Sequence, residues 1–171
     1  MSSTPDKALT GLIKGRKLVI EPLERGFGNT IGNALRRTLM SSLPGAAITA
    51  VKIEGVLHEF STLPGVAEDV TEIVLNMKEL AVKLSGDEPR SMRIEAEGIG
   101  EVKASDIIVP AEVEICNPDL HIAELTEKNA RLFMDIIVER GAGYVPAEKH
   151  RRFGHQVGII PIHSIFTPVQ R

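Results

Sequence analysis

The chain has 171 residues, which is enough to bury a core in one domain or in two small ones. Its net charge of −3 excludes a general attraction to nucleic acid or to an acidic membrane. The single cysteine, Cys116, excludes an internal disulfide and fits a reducing compartment, so the cytoplasm is the expected location. The sequence has no apolar signal core near residue 1 and no apolar run of the about 18 residues that a membrane span needs.

The first predicted elements are a strand and a glycine-rich turn. KLVIEPL (17–23) is rich in apolar residues and predicts a strand that ends at Pro22. The glycines that follow, at 26, 28 and 32, have the spacing G-x-G-x-x-x-G, which matches neither the dinucleotide fingerprint nor the P-loop. Gly26 and Gly28 are therefore predicted to adopt positive φ in a tight turn before a helix, and a phosphate site is disfavoured.

A helix is predicted next, capped by Asn29 or Thr30 and ended by LPG (43–45). One face follows the i, i+3, i+4, i+7 spacing with Ile31, Ala34, Leu35, Thr38, Leu39, Ser42 and Leu43. The opposite side carries Asn33, Arg37 and Met40 in a line, with Arg36 at its border. So wide an apolar arc is typical of a helix that packs on a core and a partner together, whereas a surface helix with two solvated arginines is an equal alternative.

The middle of the chain is predicted to form a strand and then a second helix. AAITAVKIEGVLHEF (46–60) alternates like one strand or a bent pair of strands, with Gly55 at the bend. STLPGVAEDVTEIVLNMKEL (61–80) predicts a helix capped by Ser61 or Thr62. Its apolar stripe consists of Val66, Val70, Ile73, Val74, Met77 and Leu80, and its solvated side of Glu68, Asp69, Glu72 and Lys78.

Beyond residue 80 the pattern changes to short strands with Gly, Pro, Asp or Asn between them. The predicted strands lie in AVKLSG, SMRIEAEG, EVKASDI, EVEICN, HIAEL and RLFMDIIVER. A basic, glycine-rich loop (141–156) follows, and a further strand segment begins at 157. Turn residues recurring at this interval are typical of an antiparallel sheet, so the predicted fold class is α+β.

No catalytic, cofactor or metal site is predicted. The five histidines and Cys116 lack the paired spacing of a zinc site: His58, His121, His150, His155 and His163. There is no G-x-S-x-G elbow, and Cys116 is expected to be a buried, unreactive thiol. The basic run EKHRRFGH (148–155) is short and holds one aromatic residue, so it indicates a loop that docks on a protein at least as much as a nucleic-acid contact.

Two long motifs carry a family resemblance. They are IEPLERGFGNTIGNALRRTLMSSLPG (20–45) and VKIEGVLHEFSTLPGVAEDVTEIVLNMKELAVKL (51–84). Shorter ones follow in VEICNPDLHIAEL (113–125), RGAGYVPAEKH (140–150) and FTPVQR (166–171). Together they resemble the amino-terminal domain of the bacterial DNA-directed RNA polymerase alpha subunit over nearly the whole chain after residue 16.

This resemblance implies two lobes and a scaffolding role. Residues 1–45 and 161–171 would form a dimerisation lobe, and residues 46–160 an inserted β-rich lobe with one helix. The alpha homodimer is the platform on which the beta and beta-prime subunits assemble for transcription. The resemblance therefore implies a subunit of a nucleotidyltransferase complex without a catalytic site of its own, without cofactors, and without DNA contact through these residues.

The resemblance also assigns site residues. The dimer interface would be formed by Phe27, Ile31, Ala34, Leu35, Thr38 and Leu39. Contact with the large subunits would involve Asn33, Arg36, Arg37, Met40, His58, Glu59, Lys78 and Lys149. A rigid, always charged guanidinium such as that of Arg37 suits a desolvated protein interface.

The sequence departs from the family pattern in one respect that affects dimerisation. Family members continue past the segment that FTPVQR (166–171) matches, with strands and a long helix that complete the dimerisation lobe, and then with a domain that binds promoter DNA. A truncated alpha that binds large subunits without dimerising is therefore one alternative. A small-molecule-binding domain that uses the glycine turn or GAGYVP (141–146) is another.

Overall fold

The structure is a computed structural model that describes residues 19–150 and 157–167. Within these residues, two α-helices, α1 (Phe27–Ser41) and α2 (Val70–Lys78), accompany ten strands. In chain order the strands are β1 (Pro44–Ile53), β2 (Val82–Leu84), β3 (Arg90–Glu97), β4 (Gly100–Lys103), β5 (Val113–Ile115), β6 (His121–Leu125), β7 (Arg131–Ala142), β8 (Tyr144–Val145), β9 (Ile159–Pro161) and β10 (Ser164–Ile165). The predicted α+β class is confirmed.

A four-stranded antiparallel sheet with the strand order β3-β7-β1-β9 forms the centre of the molecule. Three smaller antiparallel pairs surround it: β2 with β5, β4 with β6, and β8 with β10. The register between β1 and β7 shifts between Ile48 and Ala50, where Thr49 forms a bulge and its carbonyl accepts the N–H of Ile162 at 2.8 Å.

The core lies between the central sheet and α2. Alternate residues of β7 are buried, because successive side chains of a strand point to opposite faces: Leu132, Met134, Ile136 and Val138. The α2 side chains that meet this core are Val70, Ile73, Val74 and Met77. Most of the predicted stripe of α2 is therefore confirmed, and Val66 packs against the core from the preceding segment rather than from the helix.

Helix α1 is attached to this body only near its carboxyl-terminal end. None of its residues is buried. The hydroxyl of Thr167 donates to the carbonyl of Leu39 at 3.0 Å, and Gly143 lies so close to Ser41 that a Cβ on residue 143 would stand 3.2 Å from the Ser41 carbonyl oxygen. Helix α1 is thus held to the described body at its carboxyl-terminal end.

The start of α1 differs from the prediction. Residues 19–23 form no strand, since Pro22 has no N–H to donate and no described strand pairs with them, while residues 17 and 18 lie outside the described part. The helix begins at Phe27, before the predicted caps, and Gly26 with φ of 95° occupies the N-cap position. Positive φ is thus confirmed for Gly26 and wrong for Gly28, which lies inside the helix.

The second helix is shorter than predicted. It begins at Val70 because Asp69 accepts the N–H of Glu72 at 2.8 Å and Glu72 reaches back to the N–H of Asp69, a reciprocal capping box. Gly65, with φ of 74°, and Pro64 before it cannot continue a helix. Caps at Ser61 or Thr62 are therefore wrong.

The other predicted boundaries agree with the structure only in part. Helix α1 ends at Ser41 and Pro44 already belongs to β1, which ends at Ile53 before the predicted bend at Gly55. Residues 56–60 form no strand. The short strands predicted beyond residue 80 are confirmed as β2 to β7. The segment predicted as a loop from 141 contains the end of β7 and all of β8, while residues 151–156 and 168–171 lie outside the described part.

Candidate functional site

The predicted dimer residues form an exposed apolar side of α1. Their spacing places them on one helical face. Phe27 is 50% exposed, and Leu35 and Leu39 are each 39% exposed. Ile31 is partly buried, whereas Ala34 and Thr38 are exposed, and the Thr38 hydroxyl donates to the Ala34 carbonyl at 3.1 Å. The described chain thus leaves this apolar side uncovered.

The other side of α1 forms a shallow depression of about 540 Å³. Its lining consists of the four residues that the sequence grouped there, Asn33, Arg36, Arg37 and Met40. Among the described residues, no carboxylate forms an ion pair with Arg36 or Arg37. Both guanidinium groups can therefore meet a carboxylate or a carbonyl oxygen of another molecule.

A second group of predicted contact residues lies in the segment before α2. His58 Nδ1 lies 3.2 Å from the hydroxyl of Ser61, and the Thr71 hydroxyl donates to the Glu59 carbonyl at 2.9 Å. His58 and Glu59 are exposed, although the bond from Thr71 ties the backbone of Glu59 to the first turn of α2. The segment is thus a pre-ordered surface rather than a loose loop.

The remaining predicted contacts are two lysines. Lys78 is exposed in the last turn of α2, and Lys149 is exposed in a short 3-10 turn, Ala147–Lys149. The neighbour of Lys149, His150, is anchored because its Nε2 lies 3.1 Å from the hydroxyl of the buried Ser164. Among the described residues, no hydrogen bond or ion pair joins Lys78, Lys149 and the depression on α1.

Two exposed apolar residues of the segment before α2 lie beside the contact residues that the sequence named. Phe60 is 81% exposed and Leu57 is 68% exposed. The signal was present, since an apolar run that is interrupted by His58 and Glu59 cannot place every side chain in the core. Their exposure enlarges the candidate contact surface beyond His58 and Glu59.

The acidic residues assigned to the solvated side of the second helix have other partners. Asp69 and Glu72 cap α2, as described above. The carboxylate of Glu68 lies against the ring of His121 and accepts the N–H of Glu124 at 2.8 Å. Sequence reasoning missed this contact, because Glu68 and His121 are far apart in the chain and meet only where the segment before α2 is bridged to β6, at Val66 and Leu125.

The described residues offer little to a small molecule. A depression of about 410 Å³ on the open face of the central sheet contains charges that already pair with one another, such as Arg93 Nε and Asp135 Oδ1 at 2.7 Å. In GAGYVP, Gly141 packs closely against Phe166, and Gly143 packs closely against Ser41. These two packing contacts explain why glycine stands at both positions without requiring a bound ligand.

The described residues contain no group of three or more His, Cys, Asp or Glu side chains placed to hold a metal ion. No described helix combines the length and the apolar character needed to cross a membrane. The thiol of Cys116 is partly buried after β5, and this burial raises its pKa, which disfavours the reactive thiolate.

The chain consists of an α+β body and a helix with two exposed sides, and this combination defines its class. Residues 51–167 match the family model described as the RNA polymerase Rpb3/RpoA insert domain, and the chain belongs to this family. The resemblance seen in the sequence motifs is thereby confirmed.

The chain is also similar to curated proteins, over more residues than the family model covers. The chain is 64% identical over 155 residues to the DNA-directed RNA polymerase subunit alpha of Desulforudis audaxviator, which is 91% of this chain and 49% of that protein. It is 63% identical over 153 residues to the protein of the same name from Carboxydothermus hydrogenoformans, which is 90% of this chain and 49% of the relative. The chain spans about half the length of the curated relatives it matches.

Proposed function

We propose that this chain is a non-catalytic scaffold of a bacterial DNA-dependent RNA polymerase, which dimerises and nucleates assembly of the beta and beta-prime subunits in the cytoplasm. Its relatives are named as alpha subunits of DNA-directed RNA polymerase, and these names support membership of that complex. The observation that carries the role is α1, a helix of 15 residues with none buried, which exposes an apolar side and a cationic side. A helix of this kind is stable when other chains cover it.

The apolar side is the proposed homodimer interface. Phe27, Leu35 and Leu39 are large apolar side chains exposed by 39% or more, and a second copy would remove them from water. The proposed dimerisation lobe comprises residues 1–45 and 161–171, and residues 46–160 form the inserted lobe. The bond from Thr167 to the Leu39 carbonyl supports this division, because it joins the two separated parts of the dimerisation lobe.

The cationic side is the proposed contact with the beta subunit. Arg37 lines the depression together with Asn33, Arg36 and Met40. Interface energy concentrates in arginine and apolar anchors that become desolvated together, and this depression offers both. His58, Glu59, Lys78 and Lys149 would add further contacts with the large subunits. The chain's net charge of −3 supports the absence of direct DNA contact through these residues.

Replacement of Arg37 tests the beta contact. We expect Arg37→Ala to weaken binding of purified beta subunit to the immobilised chain about tenfold or more, since hot-spot arginines exceed the 1.4 kcal/mol that a factor of ten represents. Arg131→Ala is the matched control, because Arg131 is 69% exposed on the sheet and outside the proposed interface. Beta binding by Arg37→Ala at the strength of Arg131→Ala would overturn the assignment.

Replacement of Leu35 tests the dimer interface separately. Leu35→Glu places a charge on the apolar side of α1, and we expect light scattering to show a monomer where the unchanged chain is a dimer. Leu75→Glu on α2, where Leu75 is 51% exposed, should leave the dimer intact. A monomeric unchanged chain that still binds beta would instead support the alternative in which the chain binds large subunits without dimerising.

A further inference from the structure

The ring of His121 bridges two carboxylates that belong to different parts of the fold. At the start of β6, His121 Nε2 lies 2.6 Å from Glu68 Oε1, and His121 Nδ1 lies 3.0 Å from Glu101 Oε1. Glu68 belongs to the segment that precedes α2, and Glu101 belongs to β4. One side chain thus connects three elements.

Both carboxylates are held in place by further bonds. The second oxygen of Glu68 accepts the N–H of Glu124 at 2.8 Å, and the second oxygen of Glu101 lies 3.1 Å from Lys103 Nζ. The charged groups that face His121 are therefore Glu68 from the segment before α2 and Glu101 from β4, with Lys103 on the far side of Glu101. Neither carboxylate can turn away from the ring without losing another partner.

This geometry favours one protonation state of the ring. An ionised carboxylate oxygen only accepts hydrogen bonds, so each ring nitrogen of His121 must donate. A neutral imidazole has one N–H and one lone pair, and the lone pair would face an anionic oxygen. Only the doubly protonated imidazolium satisfies both contacts.

The electrostatics agree with the geometry. Hydrogen bonds to Glu68 and then to Glu101 raise the pKa of His121 above its ordinary value of 6.5. Partial burial opposes ionisation of Glu68, yet the Glu124 N–H and the His121 ring together hold the pKa of Glu68 below its ordinary value. The hydrogen bond from His121, followed by that from Lys103, lowers the pKa of Glu101.

We propose that His121 is an imidazolium at neutral pH and that it is a pH-sensitive clamp, which holds the segment before α2 on the β4–β6 pair and releases it when the ring loses a proton. The segment also joins β6 through the N–H of Ala67, which donates to the Glu124 carbonyl at 2.9 Å. Deprotonation leaves a carboxylate facing a lone pair next to this bond. Local opening of residues 65–69 therefore increases as the pH rises.

The clamp concerns contacts within one chain and is separate from the proposed assembly role. It lies next to the candidate contact surface, however. The clamped segment continues from His58 and Glu59, and the carbonyl of Glu59 accepts a hydrogen bond from Thr71 at the start of α2. A release at Glu68 would therefore loosen one of the two ends that hold this surface.

Nitrogen-15 NMR of the histidine side chains in the full chain tests the protonation state. We expect imidazolium shifts at both nitrogens of His121 at neutral pH and a titration midpoint above that of the same residue in the urea-unfolded chain. Glu101→Gln keeps an acceptor oxygen but removes a charge, so it should lower the midpoint. A neutral tautomer at neutral pH in the unchanged chain would overturn the proposal.

Amide hydrogen exchange tests the clamp itself. Between about pH 6 and pH 9, we expect the protection factors of the Ala67 and Glu124 amides to fall at least about threefold. The Glu54 amide, which donates to Phe133, is the reference and should change little. His121→Gln should show lower protection without this dependence on pH. Constant protection at Ala67 and Glu124 in the unchanged chain would contradict the clamp.

Discussion

The ring of Phe166 packs directly on the backbone of Gly141, so closely that a Cβ on residue 141 would stand 2.8 Å from ring carbons Cδ2 and Cε2. The Phe166 N–H donates to the Gly143 carbonyl at 2.8 Å, and Phe166 is buried. The end of β7 is thus joined to the segment that follows β10, although the two are separate in sequence. Glycine is required at position 141 by this close approach and not by a positive φ.

Gly141→Ala is expected to reduce the free energy of unfolding by about 1–3 kcal/mol, the usual effect of overpacking a tight contact. Denaturant unfolding measures the change. Gly100→Ala in β4 is the control, since a Cβ at residue 100 meets nothing within 4 Å, and it should change stability by no more than about 0.5 kcal/mol. Equal stability of the two variants would show that Phe166 can move away at little cost.

Two glycines at the start of α1 are expected to respond in opposite directions. Gly26→Ala forces a residue with a Cβ into φ of 95° and should reduce the helix content seen by circular dichroism, since such a conformation costs about 1–2 kcal/mol. Gly28→Ala should increase it, because alanine inside a helix is favoured over glycine by about 1 kcal/mol. A gain of helix in both variants would argue against Gly26 as the N-cap.

Helix α2 offers a matched pair of core and surface positions. Met77 is fully buried against the sheet, so Met77→Ala should lower the free energy of unfolding by about 2–5 kcal/mol through lost contacts and a cavity. Leu75 is 51% exposed on the same helix, and Leu75→Ala should change it by about 0.5 kcal/mol or less. Urea unfolding at neutral pH compares them, and similar losses for both would contradict the assignment of the core side.

The Glu68 carboxylate is expected to stabilise the fold in a defined pH range. Its folded pKa lies below the ordinary 4.5, so its contribution is present above pH 4.5 and is lost as the pH falls through the folded value. The contribution of His121, whose pKa is raised above 6.5, is present below pH 6.5 and is lost as the pH rises through its folded value. The pair should therefore stabilise most between pH 4.5 and 6.5.

Urea unfolding of Glu68→Gln checks this range. Its deficit in unfolding free energy relative to the unchanged chain should be largest between pH 4.5 and 6.5 and should shrink at more acidic pH. Glu88→Gln is the control, since Glu88 is exposed and forms no ion pair among the described residues. A deficit that stays the same at acidic pH would mean that Glu68 acts by packing and not by charge.

Much of the strand order along the chain could be predicted, because alternation of apolar residues is a local signal. RLFMDIIVER predicts a strand with one buried face, and β7 buries Leu132, Met134 and Ile136 as that pattern requires. The boundaries of α2 could not be placed as well. An apolar stripe continues back to Val66, whereas the helix begins only where Asp69 and Glu72 cap it.

Part of the candidate interface could be predicted from the same local periodicity. Helical periodicity alone groups Asn33, Arg37 and Met40 on one side of α1, and the structure lines a single depression with them. That the apolar side is left uncovered by the described chain was not readable from periodicity, because a stripe looks the same whether it faces a core or a partner.

The sequence by itself determined the fold class, the family and the two sides of α1, since each depends on residue order and spacing along a short stretch. Only the tertiary structure decided that Phe166 packs on Gly141 and that His121 lies between Glu68 and Glu101. These contacts depend on which strands pair and in what register. A shift of one residue in β4 or β6 would turn Glu101 or His121 to the other face of the sheet and leave the same sequence without the clamp.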